Sequence, residues 1–491
     1  MASKLLSKSK YLAGLRCPLL LWAYIHKPSS FPEVSQTTQH RFDEGNLVGR
    51  FAKRLFPRGI DIPVDNFMGN IRQTEKLLNI RKPLFEAGIL CGRLYSRADI
   101  LNPAENNTWD IYEVKSSTGT KETHFHDVAF QKRVYQQSGI NIGRCFLIYI
   151  DTNYVKYGEV DPMDLFAIED ISSAVEDASI GMEDRIRNML SIMDSQNSPD
   201  GIIGDYCLSP YTCDLKPVCW ESLPENPIFE LNGNQAKNFL LYEQGIRTIN
   251  DIPSKISLTR TQAIQKECIT TGKFHIDKGE ICSFLEKLEY PRYYLEIKTI
   301  NPAIPIYDGT RPYQHVPFQF SLQIAEQPNA LPVHHSFLAN STSDPRLQFA
   351  EKLSQLLEPH GSVIVCDYQF KARVLQDLSL AFPRYQKWSE GIIARLIDLL
   401  SPFDDFHYYH PSQKDVVSLE KVLPAITSLD YETNSIASES LAGTNFMDLS
   451  KENIPVDEVA SIRNNLLTRC NQETRAMVEI VKKLTELCIV E

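Results

Sequence analysis

No apolar run in this 491-residue chain approaches the roughly 20 residues that a membrane-spanning helix needs. The longest early stretch, Pro18-Leu-Leu-Leu-Trp-Ala-Tyr24, is far too short. Lys4, Lys8 and Lys10 are not followed by a long apolar core and a small-residue cleavage site, so no secretory signal is expected. A cytoplasmic protein without a membrane partner is the expectation. Cysteine is present but lacks a disulfide pattern, because the eleven residues are odd in number and scattered along a long chain. In a reducing compartment a local cluster of them would sooner hold metal. Positive charge is in deficit as well: the formal net charge is −11, which argues against a protein that coats nucleic acid without specificity. Internal repeats are missing too.

What is present is ordinary globular composition, 43% hydrophobic and 23% charged. The length exceeds what one hydrophobic core sustains, so two or three domains are expected. The acidic total hides an asymmetry. Residues 1–58 carry ten Lys/Arg against Glu33, Asp43 and Glu44, a local balance of +7. This stretch reads either as a solvated helix face or as a surface for the phosphate backbone.

Periodicity predicts a helix over 4–27 and another from Phe42 to Leu55. A hairpin follows, with one arm from Leu90 to Leu101, a polar break at 102–108, and the second arm from Trp109 to Lys115. A helix around Phe125–Gln137 and an apolar strand from Arg144 to Ile150 complete an α/β sheet. The Ser-, Asn-, Pro- and Cys-rich stretch 196–226 reads as a loop closing this domain, and the polar helical stretch 228–288 as a connector. A second α/β unit has strands at 293–299, 318–324 and 362–366, with helices at 391–401 and 455–488. Residues 430–450 read as loop. The expected organisation is therefore 1–226, a connector over 227–289, and 290–491.

Hydrolysis of a phosphodiester needs a divalent metal on oxygen ligands, an activated water, and positive charge to offset what builds on the phosphate. Asp99 and Glu113, on the two arms of the hairpin, offer hard oxygen ligands for Mg²⁺ or Mn²⁺. Lys115 lies two residues beyond Glu113, so both project from one face of a strand. Gln131 and Tyr135, four apart, share a helix face, suited to orienting Lys115 or gripping a phosphate backbone. Each signal alone is also satisfied by an exposed strand pair, and Glu296-Ile-Lys298 repeats the Glu-x-Lys spacing on another expected strand. No Gln-x-x-x-Tyr pair follows that second copy within twenty-five residues. The ordered set Asp99, Glu113, Lys115, Gln131 and Tyr135 is what sets the first copy apart.

That set resembles the PD-(D/E)XK nucleases of the RecB type, whose core carries an Asp, then Glu-x-Lys, then a Gln-x-x-x-Tyr helix. The resemblance implies a restriction-endonuclease-like fold that cuts DNA with Mg²⁺ or Mn²⁺. Many members add a His from the early helix. Here no His lies within 42–55, and His40 precedes the expected helix, so the metal site would be either thinner than usual or completed by Glu44. His124 and His126 read as ordinary loop residues.

Cys207, Cys213 and Cys219 are spaced by six and six in a turn-rich segment, and Cys17 is the natural fourth ligand. Spacing leaves iron–sulfur, four-thiolate zinc and no metal all open. One Cys before the core and three after it is the order of a RecB-like subgroup that includes the AddB nuclease and some CRISPR-associated nucleases. This resemblance implies a structural 4Fe-4S cluster on Cys17, Cys207, Cys213 and Cys219. The remaining cysteines, Cys91, Cys145, Cys268, Cys282, Cys366, Cys470 and Cys488, read as small buried residues.

The segments from Tyr293 to Tyr313 and from Phe318 to Ser321 resemble a bacterial domain-of-unknown-function family, one that pairs such a nuclease with a DnaQ-like domain of RNase H fold. The likeness continues at Ile397–Phe403, Tyr409–Pro411, Lys421–Ala425 and Cys470–Met477. That fold carries four carboxylates for a two-metal exonuclease, usually as Asp-x-Glu, Phe-Glu and Asp-Thr. Here Glu296 and Lys298 stand on the first strand, Lys371 follows Phe370, and Glu473 precedes Thr474. Lysines at cation-binding positions repel metal, so a catalytically degraded domain is expected. Arg311, Tyr313, Lys298 and Lys371 either face nucleic acid or are surface charges on a packing domain. Asp398 is either a surviving carboxylate or a helix brace.

The resulting expectation is a metal-dependent deoxyribonuclease, exonuclease-like and acting on single-stranded ends. Chemistry would lie in the first domain, with DNA as partner and a further protein partner on the C-terminal domain. The alternative is a non-cleaving module built from two degraded nuclease folds.

Overall fold

The computed structural model describes residues 5–427, 429, 439–451 and 454–489. Two compact units emerge: residues 1–222 with 302–313, and 223–301 with 314–491. The expected connector 227–289 thus belongs to the second unit, and a twelve-residue excursion returns to the first.

In the first unit, β1 (Leu6–Ser7) leads into α1 (Lys8–Arg16), α2 (Pro18–His26), α3 (Gln36–Lys53), β2 (Ile60–Asp61) and α4 (Phe67–Leu77). A meander of β3 (Leu84–Cys91), β4 (Leu94–Pro103) and β5 (Trp109–Val114) comes next, and α5 (Glu122–Gln137) carries the chain to β6 (Ile142–Ile150). Then follow α6 (Pro162–Leu165), β7 (Phe166–Asp170), α7 (Ser172–Ser179), α8 (Met182–Asp194) and α9 (Lys216–Cys219). The strands order as β2-β3-β4-β5-β6-β7, with β1 paired to β4. The meander is antiparallel, β5 and β6 are parallel, and β7 runs against β6. Helix α5 is the crossover that a parallel pair requires.

Single residues set the helix boundaries. The expected helix over 4–27 is two helices, because Pro18 opens α2 and forces Cys17 into extended backbone (φ −159°, ψ 129°). Lys4 lies outside the described residues. Ser35 caps α3 by accepting from Thr38 N at 3.2 Å, so that helix begins before Phe42 and contains His40. His124 and His126 lie in the first turns of α5 and not in a loop. The core of this unit packs Leu84, Ala98, Ile111, Val128, Phe130 and Leu147 together, with Tyr11 stacked on Phe130 at 4.7 Å. One apolar face of β3 to β6 is thereby covered by α5, on which α1 packs, and the other meets Val48 and Ala52 of α3.

In the second unit α10 (Gln235–Glu243), α11 (Arg260–Thr271), β8 (His275–Ile276) and α12 (Lys278–Glu286) precede β9 (Arg292–Ile300), β10 (Val316–Ala325) and β11 (Val333–Leu338). They are followed by α13 (Arg346–Ser354), β12 (Ser362–Val365), α14 (Tyr368–Ala381), α15 (Gln386–Ile393), β13 (Leu396–Asp398), α16 (Ser401–Asp404) and β14 (Tyr408–Tyr409). The last helices are α17 (Leu419–Ile426), α18 (Glu439–Asp448) and α19 (Val456–Ile489). The main sheet has the order β11-β10-β9-β12-β13, antiparallel through β10 and parallel from β9 to β13, while β8 pairs with β14. Two local expectations fail. The helix expected over 391–401 is interrupted by β13, whose apolar Leu396 and Ile397 join the sheet. The loop expected over 430–450 contains α18, while 430–438 lie outside the described residues.

Cys282 of α12 and Cys488 of α19, expected as separate buried thiols, form a disulfide with Cα atoms 5.8 Å apart, across 206 residues. Packing explains the meeting: Ile281 and Phe284 share a core cluster with Ile480 and Leu484. Reduction should lower stability by about 2–4 kcal/mol, because the bond closes a long loop in the unfolded chain. Urea unfolding with and without dithiothreitol measures this, and coincident curves would count against the pairing. No helix among the described residues is long and apolar enough to cross a membrane.

Candidate active site

Strand register builds the first half of the site. Ile100 pairs with Tyr112, and the next step sets Asp99 of β4 opposite Glu113 of β5. Opposite residues in an antiparallel pair project from one face, their Cβ atoms about 4.5–5.5 Å apart. Asp99 Oδ2 also accepts the Val114 N–H at 2.8 Å, which ties the carboxylate to the facing strand. Lys115, one step past β5, shares the face of Glu113 and donates to Glu113 Oε1 at 2.6 Å. Its backbone N–H continues the ladder onto Ile148 O at 2.9 Å.

The second half comes from α5. Gln131 Nε2 donates to Glu113 Oε2 at 2.7 Å and to Asp127 Oδ1 at 3.1 Å, so the amide orients carboxylates and not Lys115. Tyr135 is fully buried. Its hydroxyl donates to Ala87 O and accepts the Ala98 N–H, bracing β3 against β4 one residue before Asp99. The phenol is a strut that neither orients Lys115 nor reaches toward a phosphate, contrary to both of its expected roles.

Three contributors escape a reading of the sequence. Asp127 accepts from Lys115 at 2.7 Å. It stands four residues before Gln131, the same spacing that marks the Gln131/Tyr135 pair, so helical periodicity alone carries a signal for it. Lys8, the first residue of α1, places Nζ 2.7 Å from Glu113 Oε1 and 3.7 Å from Asp127 Oδ1. Nothing local marks Lys8, which lies 105 residues from its partner. Tyr313, in the returning segment, donates its hydroxyl to Ser116 O, next to Lys115.

The charges interlock. Burial opposes ionisation of Glu113, which is 1% exposed, but Lys115 and Lys8 outweigh it and hold the carboxyl below its usual range. Burial, and then the Glu113 charge, pushes Asp99 up to about 7 against the pull of Lys8 and Lys115. Burial works against the Lys115 charge, yet Glu113 and Asp127 raise it, so the group is a firm cation. His124 is driven down to about 4, first by burial and then by Lys115 and Lys121. Glu44 accepts from Ala303 N at 3.3 Å and lies 3.9 Å from His40 Nε2.

Cys17, Cys207, Cys213 and Cys219 are neighbours. Cys213 N–H donates to Cys207 O at 2.9 Å, and Cys17, Cys213 and Cys219 pack in one cluster with Leu20 and Trp22. Burial, followed by the nearness of Cys17, Cys207 and Cys213, pushes the Cys219 thiol up to about 11. All four are free thiols. Among the described residues no three His, Cys, Asp or Glu side chains stand grouped as a ready-made metal cage, at this cluster or at the carboxylates. The donors still fit in kind. Burial and the neighbouring cysteines disfavour the thiolate at Cys213 and Cys219, which a bound cation relieves. Two carboxylates plus substrate oxygens are an ordinary ligand set for Mg²⁺.

In the second unit Lys371, 1% exposed, donates to Glu296 Oε1 at 2.7 Å. Lys298 lies 3.4 Å from that oxygen and 2.7 Å from Glu473 Oε2. Both lysines are buried, so neither faces nucleic acid as one reading of the sequence had it. Burial opposes ionisation of Glu296, but Lys298 and Lys371 prevail and lower it. Asp398 accepts from Tyr368 N at 2.8 Å and Leu400 N at 2.9 Å, and so braces helix starts. Arg311 and Tyr313 belong to the first unit, with Arg311 donating to Asn153 O at 3.2 Å.

A family described as a domain of unknown function (DUF2779) matches residues 293–418, a stretch that holds Glu296, Lys298, Lys371 and Asp398 but none of the carboxylates of the first site. A comparison with curated proteins finds no match.

Proposed function

We propose that the chain is a metal-dependent deoxyribonuclease whose chemistry resides in the first unit. The observation that carries this reading is the convergence of Asp99, Glu113, Lys115 and Gln131 from a hairpin and one helix onto a single face. The sheet order β3-β4-β5-β6, with an antiparallel meander and a helical crossover into a parallel strand, supports a PD-(D/E)XK fold. In the second unit the order β11-β10-β9-β12-β13, with only β10 antiparallel to the rest, supports an RNase H-like fold.

Asp99 and Glu113 would hold the ion. A divalent ion, when bound, supplies Lewis acidity and a nucleophilic water. Gln131 fixes the Glu113 carboxylate, and Asp127 steers the Lys115 ammonium. Lys115, kept protonated by its carboxylate neighbours, cannot serve as general base; it offsets charge that develops on the phosphate. Exposed Arg41, Arg50, Arg54 and Arg58 supply cationic surface for a DNA backbone. Cys17, Cys207, Cys213 and Cys219 would hold a structural 4Fe-4S cluster, with zinc as the other candidate. They would tie the junction of α1 and α2 to the end of the unit. The second unit is proposed as a non-cleaving module that binds substrate or a partner protein, since its lysines fill the places where cations would sit.

The test is degradation of end-labelled single- and double-stranded DNA by the full chain with Mn²⁺, compared with retention of that DNA in EDTA. Cleavage with Mn²⁺ alone supports the nuclease. Retention without cleavage in both conditions would replace it with a binding module. A brown visible band, with iron and sulfide on analysis of anaerobically purified protein, separates cluster from zinc.

A further inference from the structure

Glu113 Oε1 accepts two ammonium groups at once, from Lys8 at 2.7 Å and Lys115 at 2.6 Å. Two like charges on one oxygen repel each other, and a divalent ion seeking that carboxylate meets both. The two lysines are held differently. Lys115 continues a central strand and has a second short partner in Asp127 at 2.7 Å. Lys8 follows a strand of only two residues, and its other carboxylate is 3.7 Å away. The two side chains are equally exposed, 26% for Lys8 and 25% for Lys115, so either head group reaches water and the difference lies in their partners. A lysine on a flexible four-carbon stem changes partner readily, and its departure unties the first turn of α1 from Glu113 of β5.

The balance of charge points the same way. As ligands of an ion Asp99 and Glu113 are both carboxylates, and with Asp127 they set three formal negative charges against the two of Lys8 and Lys115. A divalent ion added to the full set overshoots neutrality, whereas the same ion with Lys8 withdrawn leaves the set neutral. Partly buried charge is costly unless it is compensated. Exchange of Lys8 for the ion is therefore the arrangement that electrostatics favours.

We infer that Lys8 is a competing cation built into the site: its ammonium holds the ion's place on Glu113 and gives it up when a divalent ion binds. This rests on the nuclease reading for the identity of the ligand carboxylates, and it adds a regulatory role for the first turn of α1. Lys8 is a positioning residue here, acting through Glu113.

The test is Mn²⁺ titration of the full chain without DNA, by calorimetry or by electron paramagnetic resonance of free Mn²⁺. Wild type, Lys8→Met and Glu113→Gln are compared at one pH and ionic strength. Lys8→Met keeps the apolar stem and removes the charge, so it should bind Mn²⁺ about tenfold more tightly. Unchanged or weaker binding overturns the inference. If Glu113→Gln loses binding while Lys8→Met gains nothing, the competitor role fails and the nuclease reading survives. If none of the three proteins binds Mn²⁺, both fail. Should Lys8→Met misfold by circular dichroism, hydrogen exchange in wild type decides. Mn²⁺ should speed exchange at Leu6 and the first turn of α1, where Leu6 N–H bonds Arg93 O at 2.9 Å. Slower or unchanged exchange there overturns the proposal.

Discussion

Lys115→Ala is expected to lower Mn²⁺-dependent cleavage of end-labelled DNA by at least about 10³-fold while the protein stays folded. Groups that stabilise developing charge or move protons contribute about 10²–10⁴-fold each, and Lys115 is held charged at the edge of the site by Glu113 and Asp127. Lys115 is not among the proposed ligands, so the loss should fall on kcat and Mn²⁺ affinity should not drop. Lys115→Arg should recover little, because a planar guanidinium cannot reproduce a compact ammonium between two carboxylates. Single-turnover cleavage beside Mn²⁺ titration separates these effects. Equal cleavage rates for wild type and Lys115→Ala would remove Lys115 from the machinery.

Lys371→Met should destabilise the second unit by about 3–5 kcal/mol, the usual cost of leaving one member of a buried ion pair without its partner. Lys371 is buried and its short bond runs to Glu296, whose other cation stands at 3.4 Å. Pairing Lys371→Met with Glu296→Met should recover much of the loss, since Lys298 keeps its 2.7 Å contact with Glu473. Urea unfolding of the three variants and wild type measures this. A double variant that loses as much as the sum of the singles would mean that the pair is not a unit. The same double variant should retain Mn²⁺-dependent cleavage, and its loss would move chemistry into the second unit.

How much of this site is legible in sequence depends on how far each signal reaches. Glu113 and Lys115 are two apart on a strand, and Gln131 and Tyr135 four apart on a helix, so local periodicity suffices for each pair. Asp127 obeys the same helical rule and went unmarked because an acidic residue near a helix start reads as ordinary dipole complement. Lys8 has no such rule, because it meets Glu113 through the packing of α1 on α5. Tyr313 reaches Ser116 only because the chain returns to the first unit after β9. The break at Cys17–Pro18 was readable from Pro18, whereas α18 lies in a Ser/Asn/Glu-rich stretch whose composition resembles loop. Cys282 and Cys488 were indistinguishable from the other scattered cysteines until α12 and α19 packed together.

The sequence by itself determined which residues share a face within one element, since strand and helix repeats are local properties of the backbone. It also determined that Glu296 and Lys298, two apart on one strand, share a face. Only tertiary structure decided that Tyr135 is a strut, that Lys298 and Lys371 are buried, and that Lys8 meets Glu113. Each of these depends on which faces meet, and the burial of apolar surface over the whole unit selects that meeting.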